Sequence, residues 1–571
     1  GTGIGFTQGA NAITASTGGV TITTNSQAGA GYSSSGNITA TGQAITITGT
    51  TTTDTGIYNT GAINGGAVTL SSTQSTSTAT LRTIYITGLI TANSLTVNAS
   101  GGASSTNVTL GAITINAGGG NISVTANNAA AGANTGIDQT GAITNNAIGS
   151  NISFISNNLI NQTGTISMAA NTGASVATLV ITRGAKIIAD GTQEKPIVFT
   201  SNSPVPRSGD WGGIVICGKA QVNTSFTGTG GGPGVLEVEG GINNSFGDGL
   251  AGGGATPNNA DNSGILRYVR IEYAGYAYQP DKEINSLTMA AVGSGTVIDY
   301  VQVTYAKDDA FEWFGGTVNC KHLIAYKTQD DDFDADNGYS GKVQFGIALR
   351  DSTIADISRS EAFECDNDAG GSQNNPQTTA VFSNMTVIGP RATLANNGNS
   401  LFLGAAHVRR NTGISIFNSI FLGWPAGLII DARNGRQQQL NIKDSTVRFK
   451  NNVIAGCGPA TGTDVTSYSF IGATGNPWNT DSVKTFFSNS AFGNVVLTNV
   501  SDARLIAPFS YSAPDFLPFG GSGGQQDILV RASFTDPKLA TGFNVVKFRG
   551  ACDAAGVDAF WWKGWTRFIN Q

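Results

Sequence analysis

Charge is what this chain has least of. Its first 182 residues carry three charged side chains, Asp54, Arg82 and Asp138. Over the whole chain the charged share is 12%, roughly half the usual proportion. Net charge is −6 and Lys and Arg form no run, so the footprint of a nucleic-acid binder is missing and no such partner is expected. No stretch of about 20 apolar residues occurs, so no transmembrane helix is expected. Histidine occurs twice, and neither a metal-binding His pair nor a Ser-His-Asp order stands out. The five cysteines, Cys217, Cys320, Cys365, Cys457 and Cys552, form no CxxC pair. Inert buried thiols are expected, with one disulfide between neighbouring coils as the alternative. Glycine is abundant, 78 of 571 residues, but does not recur at every third position, which excludes collagen. The chain opens on Gly1 with no leader-like segment, as a mature or trimmed protein would.

What is present is a recurring short strand. Val20–Thr24, Ile45–Thr48, Val68–Ser71, Ile84–Thr87, Leu95–Asn98, Ile113–Asn116, Ile122–Thr125, Ile152–Ile155 and Ile166–Met168 mostly alternate an apolar residue with Thr, Ser or Asn. That pattern puts one row inward and one in water. Gly-Gly, Asn-Asn and Gly-Ala turns separate them. A hairpin sandwich yields similar strands, but their number, brevity and monotonous turns favour a solenoid, in which Thr, Ser and Asn stack from coil to coil. The fold expected is all-β, a right-handed parallel β-helix with a C-terminal aromatic cap.

Near residue 173 the composition shifts, and charge, tryptophan and cysteine appear. This divides the chain into 1–172, a Gly/Thr/Asn-rich solenoid, and 173–571, a β-helix with strands such as Pro196–Thr200, Gly213–Ile216, Leu266–Ile271, Val297–Val303, His322–Tyr326, Val343–Ile347 and Ala380–Val387. Coils of about 24 residues stacked at about 4.8 Å give a rod on the order of 110 Å long. A Gly- and Asn-rich insertion, Gly228–Ser263, can cover one face. The aromatic segment Phe560–Phe568 is expected to hide the open end of the core. At the other end Gly3–Phe6 leads straight into the repeats, an uncovered edge that suggests end-to-end self-association.

Two resemblances add to this. The segment Gly209-Asp210-Trp211-Gly212-Gly213-Ile214-Val215-Ile216-Cys217-Gly218-Lys219-Ala220 carries the first, with Glu194–Thr200, Asp308–Gly316, Asp331–Asp334 and Trp562–Phe568. Through these, residues 181–571 resemble secreted right-handed parallel β-helix, pectate-lyase-like surface proteins of Bacteroidota. Residues 1–180 resemble the Gly-Ala-Ile-Thr-rich repeats of large filamentous bacterial adhesins. The resemblance implies the fold and a secreted, extracellular or cell-surface location more than it implies a reaction.

The sharpest chemistry lies between 308 and 368. Acids recur in three clusters: Asp308, Asp309 and Glu312; Asp330, Asp331, Asp332, Asp334 and Asp336; Glu361, Glu364, Asp366 and Asp368. Phe311, Phe333 and Phe363 hold matching places, 22 and 30 residues apart. A solenoid puts such rings in one inward stack and gathers the acids of successive coils at one turn. Stacked carboxylates repel, and a hard cation offsets them. Ca²⁺ is therefore the cofactor expected, with Asp309, Asp331, Asp332, Asp334, Asp336, Glu361, Glu364 and Asp366 as candidate ligands. The full EF-hand pattern is absent: its Gly would fall at Asn337 and its last position at Val343. Solvated acids with raised pKa values and a catalytic carboxylate set are the alternatives.

The function expected first is structural or adhesive, an extracellular rod and filament subunit being the simplest use of an uncharged stacked face. The alternative is a glycan-binding β-helix or a polysaccharide lyase or hydrolase. It would draw on Lys307, Lys327, His322, Arg350, His407 or Arg409 beside the acids, and on Trp313 or Trp424 as a sugar platform. A groove holding acids plus a basic residue favours the enzyme; a flat, ion-filled turn favours structure. Thr-rich strands also suggest ice binding, but their irregular spacing opposes a flat array.

Overall fold

Parallel pairing runs through almost the whole chain in the computed structural model. It describes residues 5–569 except 76–81, 102–106, 129–134, 148–151, 157–158, 163–165, 169–177, 202, 246, 280–281, 397, 437, 459–467 and 520–529. Each coil contributes strands to three faces of a right-handed parallel β-helix. One face is a 15-stranded sheet; the other two join into a 26-stranded one. Right-handed winding is the hand that twisted strands favour in parallel crossovers.

Apolar residues at equivalent places in each coil make the core. Ile13 pairs with Ile38, then Ile63, Ile90, Ile113, Ile143, Ile166, Phe199, Ile271, Val303, Ala325, Ala348, Val387, Phe421, Ile454 and Val496. Most are fully buried, each large aliphatic side chain contributing about 2 kcal/mol. The stack continues from Ile166 to Phe199, so one core serves both compositional regions. The 172/173 boundary itself lies outside the described residues. On the outer side of the 15-stranded sheet, Thr21, Thr46, Thr69, Thr96, Ser123 and Ser153 form an uncharged ladder.

One corner is built from left-handed residues. Tyr268, Tyr300, His322, Phe345, Asn384, Asn418 and Asn451 have φ between 50° and 64°. Asn tolerates this conformation, whereas a bulky side chain there costs roughly 1–2 kcal/mol. Ring stacking offsets the cost: Tyr268–Tyr300 centroids lie 4.4 Å apart, Tyr300–His322 4.1 Å and His322–Phe345 5.0 Å.

The C-terminal aromatics cluster as expected, but on a flank of the helix rather than over its end. Trp561 and Trp565 pack against Tyr300, and Phe548 against Phe345. Arg270 and Gln302 donate hydrogen bonds to the carbonyls of Trp565 and Arg567. The outward rings of the corner, not the open core, are what this segment buries. Closure of the core falls to the helix Thr480–Phe487, capped by Asn479, which packs Val483 and Phe487 beside Tyr468 of the last strand in the 15-stranded sheet. The insertion covers a face: Val238 and Ala251 pack with Val215, Cys217 and Phe314. All five thiols are buried and unpaired.

Candidate functional site

Four consecutive strands of the 15-stranded sheet, Phe311–Phe314, Phe333–Asp336, Ser360–Cys365 and Phe402–Val408, set the acids in rows. Strand alternation decides their direction. Phe311, Phe333 and Phe363 point inward and stack with centroids 5.7 and 5.4 Å apart. Glu312, Asp334, Glu364 and His407 pair in register on the opposite side.

A second row precedes the strands. Asp309 accepts a hydrogen bond from the Asp331 amide at 2.8 Å, and Asp331 accepts one from the Glu361 amide at 2.5 Å. Asn285 does the same for the Asp309 amide one coil earlier, at 3.1 Å. These side chains satisfy backbone amides at or just before the strand starts that the ladder leaves over.

The rows form a cleft of about 630 Å³ whose lining includes Asp308, Asp309, Glu312, Asp334, Glu364 and Asp366. Asp330, Asp331 and Asp336 also border it. Glu239 of the insertion and Glu283 of the strand Lys282–Ile284 complete one wall, with Arg359, Arg409 and Arg410 as its basic members. Arg409 Nε lies 2.8 Å from Asp366, and its Nη2 bonds Glu364. Arg410 reaches Asp366 at 2.7 Å.

Burial and the neighbouring carboxylates push Asp308, Asp309, Glu312, Asp331 and Asp334 well above the usual range. Asp330 is raised to about 7 and Asp336 to about 6, in each case chiefly by burial. Glu361 goes the other way: burial opposes ionisation, but the His407 hydrogen bond and charge outweigh it. His407 sits 3.0 Å from Glu361 and 3.4 Å from Asp431. Burial would lower its pKa, yet the two carboxylates raise it to about 9. Burial and then the Arg410 charge lower the Arg409 pKa.

Ligand atoms converge to within 4.8 Å in four overlapping groups: Asp308, Asp309 and Asp330; Asp309, Glu312 and Asp334; Asp331, Asp334 and Glu364; Glu361, Glu364 and His407. Acidic oxygens at this spacing can coordinate a divalent ion.

Of the eight candidate ligands, seven gather here, with Glu361 just beneath the cleft surface. Asp332 does not: it faces inward, fully buried, 3.2 Å from Arg350. Among the candidate bases only Arg409 lines the cleft, and His407 lies under it. His322 is stacked at the aromatic corner beside Asp299, Lys327 pairs with Asp351, and Lys307 bonds Gln329. Trp313 and Trp424 are fully buried and offer no sugar platform. For Trp313 the alternation that sends Glu312 outward already places it inside. The cleft residues missed from sequence, Glu239, Glu283, Arg359 and Arg410, come mostly from loops whose coil spacing reveals nothing about where they fold.

A parallel β-helix with a carboxylate- and arginine-lined cleft on its outer sheet face defines the class of the protein. Residues 156–494 match the family described as pectate-lyase like beta helix domain, and the chain belongs to that family. The match speaks to the β-helix alone, not to Bacteroidota or adhesin repeats. No curated protein and no solved structure matches the chain.

Proposed function

We propose that this chain is a glycan-acting β-helix, binding a polysaccharide along the acidic cleft and cleaving it by lyase or hydrolase chemistry. The observation that carries this is the cleft itself, an open trough in which Arg409 and Arg410 stand beside carboxylates rather than a flat turn. In this reading Asp331, Asp334 and Glu364 hold a Ca²⁺, a hard ion suited to carboxylate oxygens. Asp309, Asp336, Glu361 and Asp366 build the anionic wall around it. A Ca²⁺ held there would supply positive charge to the carboxylate of an acidic sugar. Arg409, ion-paired with Glu364 and Asp366, stands beside the site as a fixed positive charge that would steady negative charge developing on the sugar.

The experiment is digestion of a panel of acidic and neutral polysaccharides with Ca²⁺ or with chelator. A lyase releases unsaturated ends that absorb in the ultraviolet; a hydrolase releases reducing ends without them. Arg409→Ala is expected to abolish either signal. No product and no retention of the protein on any polysaccharide gel would overturn the proposal.

A structural role has its own support in the uncharged ladder from Thr21 to Ser153, which suits a durable extracellular spacer. As a surface rod the chain would self-associate end to end, and electron micrographs of concentrated protein would show filaments in place of separate short particles.

A further inference from the structure

We propose that the groove beside the helix Thr480–Phe487 is a carbohydrate-binding site, separate from the acidic cleft, that takes an uncharged sugar ring. The groove has a volume of about 470 Å³, a size that suits a small ligand, and lies at the end of the β-helix that this helix closes.

Helical spacing builds one wall. Val483 and Phe487, four residues apart, are fully buried against the core. Phe486 falls on the neighbouring stripe and stays half-buried in the groove, with Asp481 and Thr485 on the stripe beyond it. Ile442 of the helix Gln438–Lys443 and Phe492 of the turn Ser490–Phe492 also line the groove, and Trp478 stands just ahead of the helix Thr480–Phe487. Buried Phe449 and half-buried Phe492 meet Phe486 edge-on, with ring centroids 6.4 and 5.6 Å away, and Phe470 props Trp478 at 6.4 Å. Trp478, Phe486 and Phe492 are thus fixed in place with part of each ring left to solvent. Closure of the core already has Val483 and Phe487 and does not call for three more rings at the surface.

Polar groups around these rings stand ready for a ligand. Among the described residues nothing bonds the Trp478 indole N–H, the Asp481 carboxylate or the side-chain N–H groups of Asn479 and Asn489; the side-chain oxygens of the two Asn residues accept from the Ser482 and Ala491 amides. Donors and an acceptor therefore surround an apolar floor. A pyranose has the matching form: its axial C–H bonds make an apolar face that lies on an aromatic ring, and its hydroxyls point outward to give and take hydrogen bonds. An apolar side chain of another protein would leave the polar groups bare. Among the described residues Asp481 is the only charged one lining the groove, and no ion pair reaches it. An acidic sugar is repelled there and a neutral one is not.

This site goes beyond the proposed function and does not rest on it. The test is calorimetric titration of the full chain, in chelator, with neutral oligosaccharides of glucose, mannose, xylose and N-acetylglucosamine, and with circular dichroism to confirm folding. Saturable binding of at least one is expected, weakened about tenfold by Trp478→Ala and several-fold by Asp481→Ala. If Trp478→Ala does not fold, Asp481→Ala and Asn489→Ala, both at exposed positions, decide in its place. No binding by any of these sugars overturns the proposal, as does binding that the variants leave at native strength. Binding lost on Arg409→Ala would put the sugar in the acidic cleft instead, and sedimentation showing copies of the chain held together until Trp478→Ala parts them would make the groove an interface; either result overturns it. Cleavage of an acidic polysaccharide by a chain that binds no neutral sugar would leave the glycan function standing while this site fell.

Discussion

The carboxylate of Asp309 accepts the backbone amide of Asp331 one coil further on, at 2.8 Å, and Asp331 repeats the contact with Glu361. A charged side chain thus does a job that an amide, as in Asn285, also performs. Neutral Asn would serve the backbone equally well without the repulsion, so the acids answer to something the backbone does not need.

That repulsion gives a pH dependence. The folded-state pKa values of Asp308, Asp309, Glu312, Asp331 and Asp334 lie above those of the unfolded chain, and burial is the main cause in each. The folded state therefore holds more protons than the unfolded one. Stability falls as pH rises from the unfolded carboxylate range through the raised values, about 6 for Asp336 and about 7 for Asp330. Melting temperatures in chelator are expected to drop between pH 5 and pH 8, and added Ca²⁺ to remove the drop. A flat profile in chelator contradicts this.

Asp332 separates structural from cleft acids. It pairs with Arg350 in the interior, both fully buried. Asp332→Asn leaves an uncompensated guanidinium and is expected to cost about 3 kcal/mol in denaturant unfolding. Ca²⁺ stoichiometry in the same variant stays at the native value; a lost ion would place Asp332 in the site after all.

His407 ties Glu361 to Asp431 beneath the cleft. With its folded pKa raised to about 9, its contribution is full below the unfolded value of about 6.5 and fades as pH rises through 9. His407→Gln is expected to lower stability by about 3 kcal/mol at neutral pH. The deficit narrows above pH 9. A variant as stable as the native chain at pH 7 contradicts the assignment.

Trp565 covers Tyr268 and Tyr300, with ring centroids 5.8 and 6.1 Å away. Trp565→Ala is expected to cost about 3 kcal/mol and to speed amide exchange in the strands Gly264–Glu272 and Val297–Thr304. Exchange that quickens instead around the helix Thr480–Phe487 would mean the aromatic segment closes the core end.

The fold was legible because a solenoid repeats its instructions. Alternation in strands such as Ile45–Thr48 gives the inner and outer rows, and the 22- and 30-residue intervals between Phe311, Phe333 and Phe363 give the register that the ring stack displays. The same intervals brought the acids together. What spacing does not encode is the direction of a residue in a turn. Asp332 turns inward to Arg350 while Asp331 turns outward, and neither neighbour in sequence signals the difference. Long-range returns are equally silent: Trp565 lies against Tyr268, and Glu239 reaches the cleft from the insertion, through contacts with no periodicity to read.

The most direct measurement is a crystal structure of the chain grown with Ca²⁺ and an acidic oligosaccharide. A calcium-bearing glycan cleft requires anomalous density among Asp331, Asp334 and Glu364, with sugar lying in the cleft beside Arg409. A cleft holding neither ion nor sugar, with Asp331, Asp334 and Glu364 hydrogen-bonded to one another through shared protons, would contradict it.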